Sequence, residues 1–182
     1  MGDDLPADER GAWPVIGTVP DPDPAAMRIH LICVGRRMPA WVEAGYQDYA
    51  RRLPPECALS LVEIEPMRRG KTGGPDLARN DEGSRILKVI PKGAGVIALD
   101  GRGREWSTEA LAGELKDWLG GGRDQTLLVG GPDGLSTACL ERAAQCWSLS
   151  RLTFPHPLVR VILAEQIYRA WTLLKGHPYH RG

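Results

Sequence analysis

The chain has 182 residues, of which 42% are hydrophobic, and its 23 basic and 23 acidic residues cancel to a formal net charge of zero. This length predicts one domain with a short extension, and no apolar run reaches the ~20 residues that span a bilayer, which excludes a transmembrane protein. The acidic start, MGDDLPADER, lacks an apolar core, so we expect no secretory signal and a cytoplasmic protein.

The first 26 residues differ in composition from the rest of the chain. They hold six acids, one base and five of the 15 prolines, which predicts a disordered, acidic and proline-rich extension at 1–26. Residues 27–182 then hold 17 acids and 22 bases and are expected to form the folded domain, with Met27 as a candidate native start. A mildly basic domain is compatible with a nucleic-acid partner.

From Met27 onward the hydrophobic pattern alternates between strands and helices. Short apolar or alternating runs predict strands at 28–34, 58–65, 95–100, 125–130 and 148–154. Longer runs with helical spacing predict helices at 39–53, 76–90, 107–120, 135–146 and 157–176. Strands that alternate with helices predict an α/β domain with a largely parallel sheet.

The last predicted helix is apolar around most of its surface. Its polar residues Glu165, Arg169 and Thr172 form one narrow stripe. Such a helix needs cover on two sides, and the sheet can supply only one of them. We therefore expect a homodimer in which a second subunit covers the other side.

Three segments follow predicted strands and are rich in glycine or small polar residues: LDGRG, VGGPDG and SLSRLTFPHP. The carboxyl ends of parallel strands are where α/β proteins bind ligands, so these loops together predict a pocket for one small molecule of little charge. The P-loop, dinucleotide, G-x-S-x-G and H-E-x-x-H patterns are all incomplete or absent, which disfavours nucleotide hydrolysis, a Rossmann site, a serine hydrolase and a metal site.

Four segments identify a family: VGRRMPAWVEAGYQDYARRLP, LLVGGPDGLS, WSLSRLTFPHPLVRVILAEQIYRAW and HPYHR. Together they closely resemble the SPOUT-class methyltransferases that modify N3 of a pseudouridine in large-subunit (23S) ribosomal RNA. The resemblance covers residues 27–181 and implies a SPOUT-type α/β knot, that is, an α/β domain whose carboxyl-terminal part is threaded into a trefoil knot. It also implies a homodimer, S-adenosyl-L-methionine as cofactor, no metal, and ribosomal RNA within the assembled ribosome as partner.

The resemblance also implies the site residues. The cofactor would be bound by Leu99, Gly131, Ser150, Arg151, Leu152, Thr153, Phe154 and Pro155. The tail residues Tyr179, His180 and Arg181 would lie beside the cofactor pocket, where they could complete the site of the partner subunit.

Methylation of a uracil-type N3 requires alignment of the ring with the methyl donor and removal of the N3 proton. His180 can act as acid or base near neutral pH, Arg181 can bind a phosphate or stabilise a ring anion, and Tyr179 can stack on a base. Arg169 could support these three residues. His156 could be catalytic or structural, and the sequence leaves the identity of the base open.

The RNA surface is predicted from exposed basic residues: Arg36, Arg37, Arg68, Arg69 and Lys71. Ordinary solvated charge is the alternative interpretation of these residues. Two other functions also stay open, namely a SPOUT methyltransferase for another RNA such as transfer RNA, and a ribosome-associated RNA-binding factor without catalytic activity.

Overall fold

The computed structural model describes residues 26–67 and 74–181, with backbone only for His180 and Arg181. Residues 1–25 of the predicted extension 1–26 thus lie outside the described residues. So do the basic residues Arg68, Arg69 and Lys71. The elements in chain order are β1 (Arg28–Val34), α1 (Ala40–Ala50), β2 (Ala58–Ile64), α2 (Pro75–Val89), β3 (Gly95–Glu105), α3 (Thr108–Gly121), β4 (Gln125–Val129), α4 (Thr137–Arg142), β5 (Gln145–Ser148) and α5 (His156–Leu174). Short 3-10 turns lie at Pro55–Cys57 and Pro178–Arg181. Within these described ranges, no helix is both long enough and apolar enough to cross a membrane.

The five strands form one sheet in the order β2-β1-β4-β3-β5, and every strand pair is parallel. The predicted α/β domain with a parallel sheet is therefore confirmed. Helices α1, α3 and α5 pack on one face of the sheet, and α2 and α4 pack on the other. Because helices cover both faces of the sheet, most side chains of β1 and β4 are buried, and apolar residues do not alternate strictly with polar ones along these strands.

The predictions for the region around β5 were wrong. The helix expected at 135–146 ends at Arg142, and the strand expected at 148–154 lies instead at 145–148. In β5, Cys146 and Trp147 pair with β3, and the Trp147 indole stacks on Trp106 with ring centroids 4.8 Å apart. Strand pairing and the burial of this aromatic pair outweigh the local helical preference of the alanine-rich segment.

Strand β3 continues five residues beyond its predicted end at Asp100. Its pairing with β5 shifts register between Leu99 and Arg104, so the segment DGRG is a bulge inside a strand and not a loop after one. A Cβ on Gly103 would lie 2.6 Å from the carbonyl carbon of Cys146, which means that this close approach of two backbones requires glycine. Bulges of this kind are common next to functional sites.

Helix α5 is the longest helix in the described part of the chain, and it packs against α1 and α3, the other two helices of its layer. Leu163, Ala164 and Ile167 are fully buried, whereas Leu158 and Ile162 keep partial exposure. The apolar surface thus extends beyond the side that the sheet covers, and the homodimer inferred from it stays a prediction.

Candidate active site

A cavity of about 410 Å³ opens between the bulge of β3 and the carboxyl ends of β4 and β5. This volume falls in the range of small-molecule and cofactor sites. Three segments form most of its wall: Leu99–Gly101, Val129–Gly131 and Trp147–Phe154. The structure therefore brings the three segments singled out in the sequence around one space.

Seven of the eight residues predicted to bind the cofactor line this cavity: Leu99, Gly131, Ser150, Arg151, Leu152, Thr153 and Phe154. Pro155, the eighth, is the residue that caps the start of α5. His156, the first residue of that helix, also lines the cavity. Among the other predicted site residues whose side chains are described, Arg36, Arg37, Arg169 and Tyr179 do not line it.

The wall contributed after β4 is a glycine turn. Gly134 has φ +80° and its N–H donates to the carbonyl oxygen of Gly131 at 2.9 Å. A Cβ on Gly130 would lie 2.4 Å from the carbonyl carbon of Gly134, so the turn closes only because this residue has no side chain. The turn therefore presents mainly backbone groups to the cavity.

The wall contributed after β5 is a loop held by its own hydrogen bonds. The Ser148 hydroxyl donates to the carbonyl oxygen of Ser150 at 3.1 Å, and the N–H of Leu152 donates to the Ser150 hydroxyl at 2.9 Å. These bonds turn the Leu152 side chain outward, where it is 73% exposed. The rim of the cavity thus offers an apolar contact to a ligand or to another chain.

The β3 bulge adds one carboxylate to the wall. Asp100 accepts hydrogen bonds from the backbone N–H and the guanidinium of Arg102, each at 2.9 Å. These bonds hold the pKa of the Asp100 carboxyl below its usual range, although partial burial acts in the opposite direction. Asp100 is therefore ionised at neutral pH, and Arg102 offsets its charge.

His156 is the titratable imidazole in the wall. Burial lowers its pKa, and the positive charge of Arg160 lowers it further. The ring is therefore neutral at neutral pH and has a nitrogen that can accept a proton.

Arg160 itself was missed by the sequence interpretation. Its guanidinium is buried and donates to Glu63 Oε1 at 2.5 Å and to the Gly35 carbonyl oxygen at 2.7 Å. A single arginine within the apolar run PLVRVILA is the signal that could have indicated it, because a buried charge requires partners.

The tail forms a separate cluster against the middle of α5. The Tyr179 hydroxyl donates to Glu165 Oε1 at 3.2 Å, its ring meets Tyr168 edge-on at 4.9 Å, and the Arg169 guanidinium lies 5.0 Å from its centroid. Arg169 Nε also donates to Glu165 at 2.8 Å. Burial, a hydrogen bond to Tyr49 and the Glu165 charge all raise the pKa of the Tyr179 phenol, so it stays protonated.

The structure thus brings Tyr179 and Arg169 together, but away from the cavity of their own chain. Glu165 follows His156 by nine positions, which is about 14 Å of α-helix. None of the described tail residues lines the cavity. His180 and Arg181 belong to the 3-10 turn that carries Tyr179.

Two of the predicted RNA-binding residues are described, and both are exposed where β1 ends. Arg36 forms an exposed ion pair with Glu65 at 3.1 Å. Arg37 has φ +55°, a left-handed conformation that is unusual for a residue with a side chain. Both lie at the same edge of the sheet as the cavity, because β1 is paired with β4.

A parallel α/β sheet with a glycine-walled cavity at its carboxyl edge is where α/β proteins bind small ligands, and the comparisons with known proteins give the class of protein. The family model described as "Predicted SPOUT methyltransferase" matches residues 27–180, so the chain belongs to the SPOUT methyltransferase family. The fold is also shared with a structure titled as a probable methylase family protein from Haemophilus influenzae Rd KW20. That structure has a TM-score of 0.52 and 11% identity, and the match covers 84% of this chain and 69% of that one.

Curated relatives are much closer in sequence. The chain is 63% identical over 157 residues to the ribosomal RNA large subunit methyltransferase H of Thioalkalivibrio sulfidiphilus (strain HL-EbGR7), a match that covers 85% of this chain and 99% of that protein. It is 59% identical over 155 residues to the protein of the same name from Methylococcus capsulatus (strain ATCC 33009 / NCIMB 11132 / Bath), with 85% and 100% covered. The family resemblance expected from the sequence is confirmed.

Proposed function

We propose that this protein uses S-adenosylmethionine to methylate N3 of a pseudouridine in large-subunit ribosomal RNA, acting on the assembled ribosome in the cytoplasm. The observation that carries this proposal is the 63% identity to a ribosomal RNA large subunit methyltransferase H across nearly the whole of that relative. The domain at 27–182 is the part proposed to act, because the family model matches residues 27–180 and not the acidic extension.

The cavity fits S-adenosylmethionine in size and in chemistry. At about 410 Å³ it is large enough for a cofactor of this size, and its walls offer backbone groups from the glycine turn and the loop after β5. Gly131 is tightly placed, since a Cβ there would lie 3.0 Å from Val34 Cγ1. Leu99, Gly131 and the 150–155 loop would hold the cofactor, whose sulfonium supplies an electrophilic methyl group when bound.

The residues of the chain would orient the base, exclude water and receive the N3 proton. His156 is neutral and lines the cavity, so its ring is one candidate acceptor for that proton. His180 is the other candidate, and Arg181 would stabilise the negative charge that develops on the ring. Substitution of each histidine by asparagine and comparison of the pH profiles of kcat/KM would tell the two apart.

The tail is proposed to act in the partner subunit. Within one chain, about 14 Å of helix separates the tail cluster from the cavity, and the partly exposed Leu158 and Ile162 lie on that stretch. A homodimer that covers these apolar residues would place the tail of one chain against the cavity of the other. We also propose that the loop after β5 is threaded through the trefoil knot of the family.

The RNA would be held by basic residues at the same edge of the sheet. Arg36 and Arg37 are exposed there, and Arg68, Arg69 and Lys71 would extend the surface. So few basic residues predict modest affinity for naked RNA, since each phosphate contact adds a limited, salt-dependent contribution. This agrees with a substrate whose RNA is already shaped by the assembled ribosome.

One experiment tests both the reaction and its substrate. Purified protein is titrated with S-adenosylmethionine by calorimetry and then incubated with labelled cofactor and one RNA source at a time. The sources are ribosomes from a strain without the enzyme, free large-subunit RNA and transfer RNA. We expect binding, and label in N3-methylpseudouridine of ribosomal RNA. Label in transfer RNA instead would mean that transfer RNA, and not ribosomal RNA, is the substrate. A folded protein that binds no S-adenosylmethionine would overturn the proposal.

A further inference from the structure

Arg160 lies on α5, one turn after the first residue of the helix, and only 1% of its surface is exposed. Transfer of a guanidinium from water into a protein interior costs several kcal/mol, which pairing offsets only in part. An apolar residue of similar size at such a position is often neutral or stabilising. The presence of arginine here therefore calls for a role beyond holding the fold together.

Its partners are distant in sequence and close to the cavity. Arg160 Nη1 donates to Glu63 Oε1 at 2.5 Å, and Nη2 donates to the carbonyl oxygen of Gly35 at 2.7 Å. Glu63 lies near the carboxyl end of β2, opposite Cys33 of β1, and Gly35 directly follows β1. One side chain thus ties the start of α5 to the carboxyl ends of two neighbouring strands.

His156 is in contact with this tie. A Cβ on Gly35 would lie 3.3 Å from Arg160 Nη2 and 3.5 Å from His156 Cδ2, so the three residues form one packed group. His156 is also one helical turn before Arg160 on the same helix face. The place of its ring in the cavity wall therefore depends on where the start of α5 is held.

We propose that Arg160 is a positioning residue for methyl transfer, which, with Glu63 and Gly35, fixes His156 in the wall of the cavity. The catalytic part rests on the proposed function, but the tie between Arg160 and His156 does not. Arg160 does not line the cavity, and it acts on the reaction through His156.

The electrostatics of the group agree with this role. Among the described residues, Arg160 on the same helix is the charge that acts directly on the His156 ring, and it adds to burial in lowering the pKa. Glu63 from β2 partly offsets the Arg160 charge. From β1 come the Gly35 backbone and the thiol of Cys33, whose pKa burial raises to about 12, so that it is uncharged. His156 is therefore held in place and neutral by the same group of residues.

The test follows the His156 ring by NMR titration in the full chain, with His156→Asn used for assignment. In Arg160→Met we expect the pKa of His156 to rise, because a positive charge has been removed. In Glu63→Gln we expect it to fall further, because the Arg160 charge is no longer offset. The exposed pair Asp76–Arg79 provides a control, since Asp76→Asn is expected to leave the titration unchanged.

Activity gives the second readout. In Glu63→Gln and Arg160→Lys we expect kcat to fall by about tenfold to a hundredfold, which is the range expected when a reacting group is misplaced by ~1 Å. We expect the KM for ribosomes to stay within about twofold, because the RNA surface is not altered. Glu63 is partly exposed, and the glutamine that replaces it keeps an oxygen that can accept from Arg160. Glu63→Gln is therefore expected to fold, and it tests the positioning role even if Arg160→Met does not fold.

The proposal is overturned if folded Glu63→Gln and Arg160→Lys both leave the His156 titration and kcat as in the wild type. It is also overturned if kcat falls in Glu63→Gln while the His156 titration changes in neither Glu63→Gln nor folded Arg160→Met, because Arg160 would then act by another route. Failure of the proposed function gives a different result. In that case the wild-type protein binds no S-adenosylmethionine, while the substitutions still shift the His156 titration.

Discussion

Glu165 joins the tail to the rest of the molecule, and its replacement by glutamine is a sharp test of the proposed role of the tail. Its carboxylate accepts from Arg169 Nε at 2.8 Å, from the Tyr179 hydroxyl at 3.2 Å and from Gln166 Nε2 at 2.7 Å. Glutamine keeps one oxygen but loses the charge, so Arg169 and Tyr179 no longer share an anion. We expect the tail to be held more weakly and the cavity to be unaffected.

The structure sets the magnitude of this effect. The side chains of Glu165 and Arg169 are 17% and 26% exposed. Their ion pair is therefore expected to stabilise the fold by more than an exposed helix pair, which contributes about 0.3–0.5 kcal/mol, and by less than a buried charge-assisted hydrogen bond, which contributes about 1.5–3 kcal/mol. The bond from Tyr179 adds about 1 kcal/mol. We expect Glu165→Gln to lower the free energy of unfolding by about 2 kcal/mol in total, which lowers Tm by roughly 4–8 °C for a domain of this size.

The assay is a double-mutant cycle by urea unfolding, with Glu165→Gln, Tyr179→Phe and the double variant compared at one protein concentration. Because the two side chains share a hydrogen bond, we expect a coupling free energy of about 0.5–1 kcal/mol. Each variant is also titrated with S-adenosylmethionine and assayed for turnover. Cofactor affinity is expected to stay within about twofold while turnover falls, because the tail lies away from the cavity of its own chain.

Two results would refute this reasoning. If the effects of the two substitutions simply add, to within about 0.3 kcal/mol, Tyr179 is not held by Glu165 in solution. If cofactor affinity falls in parallel with turnover, the tail supports the cavity of its own chain, and the proposed exchange between subunits is wrong.

Three further predictions follow from the same structure. Deletion of residues 179–182 should abolish turnover and spare S-adenosylmethionine binding by calorimetry, and loss of both would make the tail structural. Gly103→Ala should cost about 3 kcal/mol in urea unfolding, because its Cβ would meet the backbone of β5, whereas Gly101→Ala, with open space around it, should cost far less. Asp100→Asn should destabilise the protein at pH 7. Because Arg102 lowers the pKa of Asp100, this pair stabilises the wild-type protein fully above about pH 4, and the stabilisation is lost as the pH falls through the lowered pKa. The free energies of unfolding of the wild type and of Asp100→Asn should therefore converge in acid.

The sequence predicted those elements whose signal is local. Strand β1 begins and ends at the predicted residues, and the helix predicted at 107–120 is present as α3 (Thr108–Gly121), with the Ser107 hydroxyl accepting from the N–H of Ala110 at its start. The glycine turn after β4 could likewise be found, because its glycines follow a buried strand.

Features that depend on distant partners could not be found in this way. Strand β5 begins within the last turn of the helix predicted at 135–146, because Trp147 pairs with β3 and stacks on Trp106. The partners of Arg160 are 97 and 125 positions away, and no local pattern links them. Helical spacing also gives no indication of where α5 delivers the tail, which depends on the packing of the whole helix layer.

The order of the cavity walls along the chain has a consequence for synthesis. The cavity draws one wall from β3 and the turn after β4, but the other comes from residues 147–159, which follow both of them along the chain. A chain that emerges from its amino terminus can pair its first four strands before this second wall has been made. Competence to bind a ligand therefore arises only after residues 147–159 have been made, and a chain that stalls or is cut before Trp147 has four of the five strands but lacks this wall of the cavity.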